Sequence, residues 1–222
     1  MSPSITRGVY LVADSASTAG RELHDVVAQA VAGGIGTVQL RCKDTSAAEF
    51  LDIVLACAKH TAGRADLLIN DRVDVYLAAR AAGASVQGVH IGQSDLGPAV
   101  VRQLIGPDAI LGLSAATAQE IRGANTLEEH LPGTITYLGV GAVHATPTKK
   151  DHPEPLGHVG LARVVLSTKL PVIAIGGIHE EDVSPLAAAG AAGIAVVRAI
   201  CAADDPRAAT IHLRTLWEES TR

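Results

Sequence analysis

An α/β fold, a single-domain (β/α)8 barrel of the TIM type over residues 1–222, is what the sequence predicts. Short aliphatic runs without polar alternation recur along the chain, as strands buried on both faces of a parallel sheet require. Stretches of helical spacing lie between them. Several runs stop on a polar side chain or a glycine, at the strand end where such sheets and barrels bind ligands. Eight strand and helix units in 222 residues give a period of about 27, enough for a minimal barrel. No linker or low-complexity tract divides the chain, and the runner-up, a doubly wound open sheet, needs fewer strands than the pattern supplies.

The first strand, Val9–Asp14, ends on an acid. Residues 21–32 carry Leu23, Val26, Val27, Ala30 and Val31 at helical spacing, and Gly33-Gly34 ends that helix. The glycines at 33, 34 and 36 precede a strand instead of following one, so they fail the context of a dinucleotide loop and read as a turn. Ile35–Arg41 is the second strand. Its two-residue period sends Gln39, Arg41 and, if the chain stays extended, Lys43 to one side, with Leu40 and Cys42 toward the covering helices. An amide, a guanidinium and an ammonium on one face are costly to bury unless an anion meets them. A phosphate or diphosphate answers that need; the plainer alternative is a solvated strand end.

Thr45-Ser46 caps a helix running to His60, with Phe50, Leu51, Val54, Leu55 and Ala58 on one stripe. Next comes Asp66-Leu-Leu-Ile-Asn-Asp71, an apolar strand that stops on an amide and a carboxylate. An Asn-Asp pair there also suits a helix N-cap. The fourth strand, Gly88–Gln93, runs into Asp95, which brings a second acid toward Asp71. Two carboxylates with only oxygen donors around them suit Mg2+. His90, inside the fourth strand, reads as a hydrogen-bonded core residue.

Residues 73–82 and 96–105 are helical, the second tolerating Pro98 in its first turn. Ala109–Ser114, Ile135–Gly141, Pro171–Gly177 and Gly193–Arg198 complete the strands; residues 117–130, 159–168, 180–189 and 206–218 complete the helices. Residues 142–157 form the longest stretch without periodicity, and long loops in compact domains are disproportionately functional. Thr146, Thr148 and Lys149 there offer hydroxyls and a charge suited to phosphate. His144, His152 and His158 match no compact metal motif and read as solvated or capping residues. The paired glycines after strand seven, with the backbone and Arg198 after strand eight, match the place where such barrels grip a phosphate.

Composition narrows the function classes. A net charge of −5 without a Lys/Arg cluster argues against a nucleic-acid face. No segment approaches the roughly 20 apolar residues of a membrane span. The opening residues lack the layout of a secretory signal. Cys42, Cys57 and Cys201 are odd in number and widely spaced, which favours a reduced, cytoplasmic protein with packing cysteines. The expected partners are small molecules; a homo-oligomer is left open.

The chain resembles the thiamin phosphate synthase family over nearly its full length. The resemblance is carried by Gln39-Leu-Arg-Cys-Lys43, Ile69-Asn-Asp-Arg72, Gly88-Val-His-Ile-Gly-Gln-Ser-Asp95, Gly112-Leu-Ser114, Thr146-Pro-Thr-Lys149, Ile175-Gly-Gly-Ile178 and Val196-Val-Arg-Ala-Ile200. Each piece is weak alone; together, in order, they are highly specific. The resemblance implies that 4-amino-2-methyl-5-hydroxymethylpyrimidine diphosphate is coupled to 4-methyl-5-hydroxyethylthiazole phosphate with release of pyrophosphate. It implies that Gln39, Leu40, Arg41, Cys42, Lys43, Asn70, Ser114 and Lys149 meet the pyrimidine diphosphate, with Arg41, Lys43, Ser114 and Lys149 catalytic. Asp71 and Asp95 would hold Mg2+, and Thr146, Pro147, Thr148, Gly177, Val197 and Arg198 would meet the thiazole phosphate. Arg198 stands where many relatives are expected to carry a small hydroxyl residue, so the contact there rests on the backbone or on a new charge-assisted bond. The rival readings are a thiazole tautomerase, which needs no metal-bound diphosphate, and a non-catalytic barrel that binds a phosphorylated ligand. No Ser-His-Asp or Cys-His arrangement suggests a side-chain nucleophile.

Overall fold

Aliphatic strands with no polar face need cover on both sides, and the chain supplies it by closing the sheet on itself and wrapping it in helices. The computed structural model describes residues 4–146 and 154–222. The strands are β1 Gly8–Asp14, β2 Thr37–Arg41, β3 Asp66–Asn70, β4 Gly88–Ile91, β5 Ile110–Ser114, β6 Tyr137–Val140, β7 Val172–Ile175 and β8 Gly193–Val196. They pair in parallel in sequence order, and β8 returns to β1, so the barrel closes. The helices are α1 Leu23–Ala32, α2 Ala47–Thr61, α3 Val73–Ala81, α4 Pro98–Ile105, α5 Ala118–His130, α6 Gly157–Ser167, α7 Glu180–Ala188, α8 Arg198–Cys201 and α9 Pro206–Ser220.

Alternation along each strand divides the interior in two. Leu11, Val38, Leu40, Leu67, Ile69 and Leu138 point outward into the layer shared with the helices. Tyr10, Val12, Leu68, Ile110, Tyr137 and Ile173 point inward and fill the barrel. Each fully buried aliphatic contributes about 1.5–3 kcal/mol relative to exposure, so reversing this alternation in any one strand would be prohibitive. Local chemistry starts the helices where the ladder ends. Ser46 and Glu49 cap α2 reciprocally, Thr117 and Glu120 do the same for α5, and Pro98 opens α4.

Four strands stop short of the sequence pattern at their carboxyl ends. β4, β6, β7 and β8 stop at Ile91, Val140, Ile175 and Val196. The residues after them leave the ladder to build loops over the barrel mouth. Arg198 is therefore no strand residue: Val197 leads into the four-residue helix α8, which the spacing had not predicted. Cys42, Cys57 and Cys201 are free and buried, as packing residues should be. Among the described residues, no helix is long and apolar enough to cross a membrane.

Candidate active site

All eight strands end on one face, and most of the predicted site residues that the structure describes lie at or just beyond those ends, in strand order. Asp14 and Arg41 are register partners at the ends of β1 and β2. An Nη of Arg41 donates to Oδ2 of Asp14, while Oδ1 accepts the Ala16 N–H at 2.9 Å. Asp14 is only 2% exposed, so a buried anion holds the guanidinium in place. Sequence reading noted an acid at the end of the first strand but not this pairing. Lys43 follows as an exposed cation. The side chains of Leu40 and Cys42 pack in the outer layer at 0% and 4% exposure, so a contact of either residue with a ligand in the mouth would run through its backbone.

The acid pair converges as expected. Asp71 adopts a left-handed backbone with φ of 63°, which aspartate tolerates better than most residues. Its N–H donates to the His90 carbonyl at 2.8 Å, so β4 fixes where the carboxylate points. Asp95 is held by the Gly92 N–H, 2.7 Å from its Oδ2. Burial, and then the charge and close approach of Asp95, push the Asp71 pKa up to about 6, against the opposing pull of Lys43 and Asn70. Two carboxylates this close, with an amide and an ammonium beside them, form an oxygen-donor set that fits a hard divalent cation such as Mg2+.

Beneath the mouth a chain of hydrogen bonds crosses the barrel. The Gln39 amide donates to the Tyr10 hydroxyl at 2.7 Å, and the two tyrosine hydroxyls lie 2.8 Å apart. The Tyr137 hydroxyl is 2.9 Å from Nδ1 of His90, whose Nε2 is 2.9 Å from Oγ of Ser114. Burial raises the pKa of both phenols, so they remain protonated. If each hydroxyl passes its proton onward, His90 carries its proton on Nε2 and donates to Ser114, leaving the serine O–H directed elsewhere. Glycine makes this contact sterically feasible: a Cβ at Gly112 would overlap both Tyr137 and His90, and one at Gly139 would come within 2.8 Å of the His90 ring. His90 is thus the bonded core histidine that the sequence suggested. Gln39 is 4% exposed and buttresses the wall from within.

On the opposite side, the chain after β6 docks onto the end of β7. The Val143 and His144 N–H groups donate to the Ile175 and Gly176 carbonyls at 3.0 and 2.9 Å. Gly176 and Gly177 have φ of 96° and 66°, and a Cβ on Gly177 would approach the His144 Cβ to 2.8 Å, so glycine is demanded twice over. Thr146 is half-buried beside this turn, Val197 packs against the interior cluster, and Arg198 is exposed. The expectations for Pro147, Thr148, Lys149 and His152 lie outside the described residues. His144 and His158 are not merely solvated or capping. Their Nε2 atoms lie 2.8 and 2.6 Å from Oδ1 of Asp182, a grouping that sequence distance concealed.

With this geometry in hand, comparison with known proteins is specific. Residues 9–200 match the model of a family described as thiamine monophosphate synthase. The thiamine-phosphate synthase of Solidesulfovibrio magneticus is 46% identical over 220 residues, covering 99% of each chain. That of Albidiferax ferrireducens is 44% identical over 209 residues, covering 94% of this chain and 90% of its own. The solved structure of a thiamine phosphate pyrophosphorylase from Pyrococcus furiosus superposes with a TM-score of 0.83 at 30% identity, covering 98% of both chains.

Proposed function

This chain belongs to the thiamine monophosphate synthase family and is a transferase, and we propose that it joins an aminopyrimidine-methyl diphosphate to a thiazole phosphate, releasing pyrophosphate. The observation that carries the finer reading is the meeting of Asp71 and Asp95 with Lys43 and Asn70 at neighbouring strand ends, beside Arg41. A hard cation bound by acids next to fixed cations is what a departing diphosphate requires.

In this reading Arg41, aimed by Asp14, and Lys43 neutralise charge that builds on the diphosphate as the carbon–oxygen bond breaks. Asn70 and Ser114 orient the diphosphate, and His90 orients Ser114. Mg2+, held by Asp71 and Asp95, would add charge neutralisation at the leaving group. The aminopyrimidine ring carries the positive charge left at its methylene, and the thiazole nitrogen attacks there. No protein nucleophile is needed. The thiazole phosphate is assigned to the turn at Gly177, the backbone at Val197 and Arg198, and Thr146, Pro147 and Thr148, and Lys149 is assigned to the diphosphate. Free, buried cysteines agree with a cytoplasmic setting, which is part of the same proposal.

Calorimetric titration tests the metal reading. The pyrimidine diphosphate should bind at least about tenfold more weakly without Mg2+, the loss of one charge-assisted interaction of about 1.4 kcal/mol. Tight binding that ignores the metal would instead favour a phosphate-binding barrel without this chemistry.

A further inference from the structure

We propose that His144, His158 and Asp182 form a binding site for a divalent transition-metal ion of borderline softness, with Zn2+ as its probe, separate from the acid pair at Asp71 and Asp95. The two imidazole Nε2 atoms lie 2.8 and 2.6 Å from a single carboxylate oxygen, and the three ligand atoms all lie within 4.8 Å of one another. A tetrahedral ion with bonds of about 2.0–2.2 Å holds its ligand atoms about 3.3–3.6 Å apart, so each imidazole needs to draw back from the carboxylate oxygen by less than about 1 Å to admit it. Two nitrogens and one oxygen select Zn2+ over Mg2+, the reverse of the all-oxygen pair.

The surroundings support ligation. Oδ2 of Asp182 accepts the His179 N–H at 2.8 Å, an outer contact of the kind that holds a ligating carboxylate in orientation. The Asp182 side chain is 3% exposed, whereas the imidazoles are 41% and 38% exposed, so a buried anchor faces an open side through which an ion and a water could enter. To ligate, each ring needs only to carry its proton on Nδ1 and present Nε2. His144 comes from the loop after β6, His158 from the first turn of α6 and Asp182 from the first turn of α7. An ion here would tie the Thr146 loop to two helices, next to Gly177. The inference rests on these three side chains and not on the coupling reaction.

The alternative is a plain hydrogen-bonded cluster, and glutamine separates the two, since it donates an N–H to Asp182 but ligates poorly. Chelator-stripped protein in excess Mg2+ is titrated with Co2+, a spectroscopic stand-in, and then with Zn2+. One equivalent of Co2+ should give visible d–d absorption that Zn2+ abolishes. His158→Gln and His144→Gln, each checked for folding by circular dichroism, should weaken Zn2+ binding on the order of 100-fold. Asp71→Asn should leave it intact. Absence of the d–d bands in the unmodified protein, binding unchanged in both folded glutamine variants, or loss in Asp71→Asn would overturn the proposal.

Discussion

The Oγ of Ser114 lies 2.9 Å from Nε2 of His90, and through His90 it is linked to Tyr137, Tyr10 and Gln39 across the barrel interior. Ser114 is the end of this chain that reaches the mouth. Ser114→Ala should therefore lower turnover about 10- to 100-fold, at or below the loss of one preorganised donor, with little change in melting temperature. His90→Leu should act on both. It leaves the Tyr137 hydroxyl with Tyr10 but takes away its partner on the His90 side, costing about 1–3 kcal/mol, which thermal melts would register as a drop of a few degrees or more.

Gly112 is predicted to be the steric gatekeeper of that chain. Gly112→Ala forces a methyl into Tyr137 and His90 and should destabilise the fold by about 1–3 kcal/mol. Adding Tyr137→Phe removes one of the three atoms that the methyl meets and frees the ring from its hydrogen bonds so that it can shift, so the double variant should lose less than the sum of the singles in chemical denaturation. Strict additivity would leave the strain on the ring carbon and His90.

These residues also mark where sequence reading stops. The barrel was legible because each strand is a local apolar run and each helix a local stripe, and because Arg41 and Asp71 sit at strand ends whatever partners they find. The two-residue period even turned the side chains of Leu40 and Cys42 outward. What stayed hidden are pairings made by closure: Asp14 with Arg41, Tyr10 with Tyr137, and Asp182 with His144 and His158. Each joins residues 24 or more positions apart. No local pattern encodes them, because they depend on which strand ends become neighbours.

In the proposed coupling Arg41 needs a fork as well as a charge, to hold Asp14 and still reach the leaving group. Arg41→Lys keeps the charge but not the second donor plane. Its KM for the pyrimidine diphosphate should rise about tenfold, the loss of one charge-assisted bond of about 1.5 kcal/mol. Wild-type KM in that variant would remove the guanidinium geometry from the account.

Asp71 should be a stability liability that metal relieves. Its folded pKa of about 6 stands above the ordinary 3.8, so the folded state binds its proton more tightly than the unfolded chain does. The ionised group therefore destabilises the metal-free protein above about pH 6, and the penalty fades as pH falls from there toward 3.8. Asp71→Asn should melt a few degrees higher than wild type at pH 8 without metal and lose that advantage near pH 4.5. Mg2+ should raise the melting temperature of wild type more than that of the variant. An Asp71→Asn protein less stable than wild type at pH 8 would contradict the crowding of the two acids.

The central claim is metal-assisted coupling at the ends of β2, β3 and β4, and product formation tests it most directly. Purified protein is mixed with the pyrimidine diphosphate, the thiazole phosphate and Mg2+, beside a chelated control and the Asp71→Ala variant. Thiamin phosphate and pyrophosphate should accumulate together only with wild-type protein and metal. Equal product in the chelated control or in Asp71→Ala would contradict the metal assignment, and no product from folded wild-type protein would contradict the coupling itself.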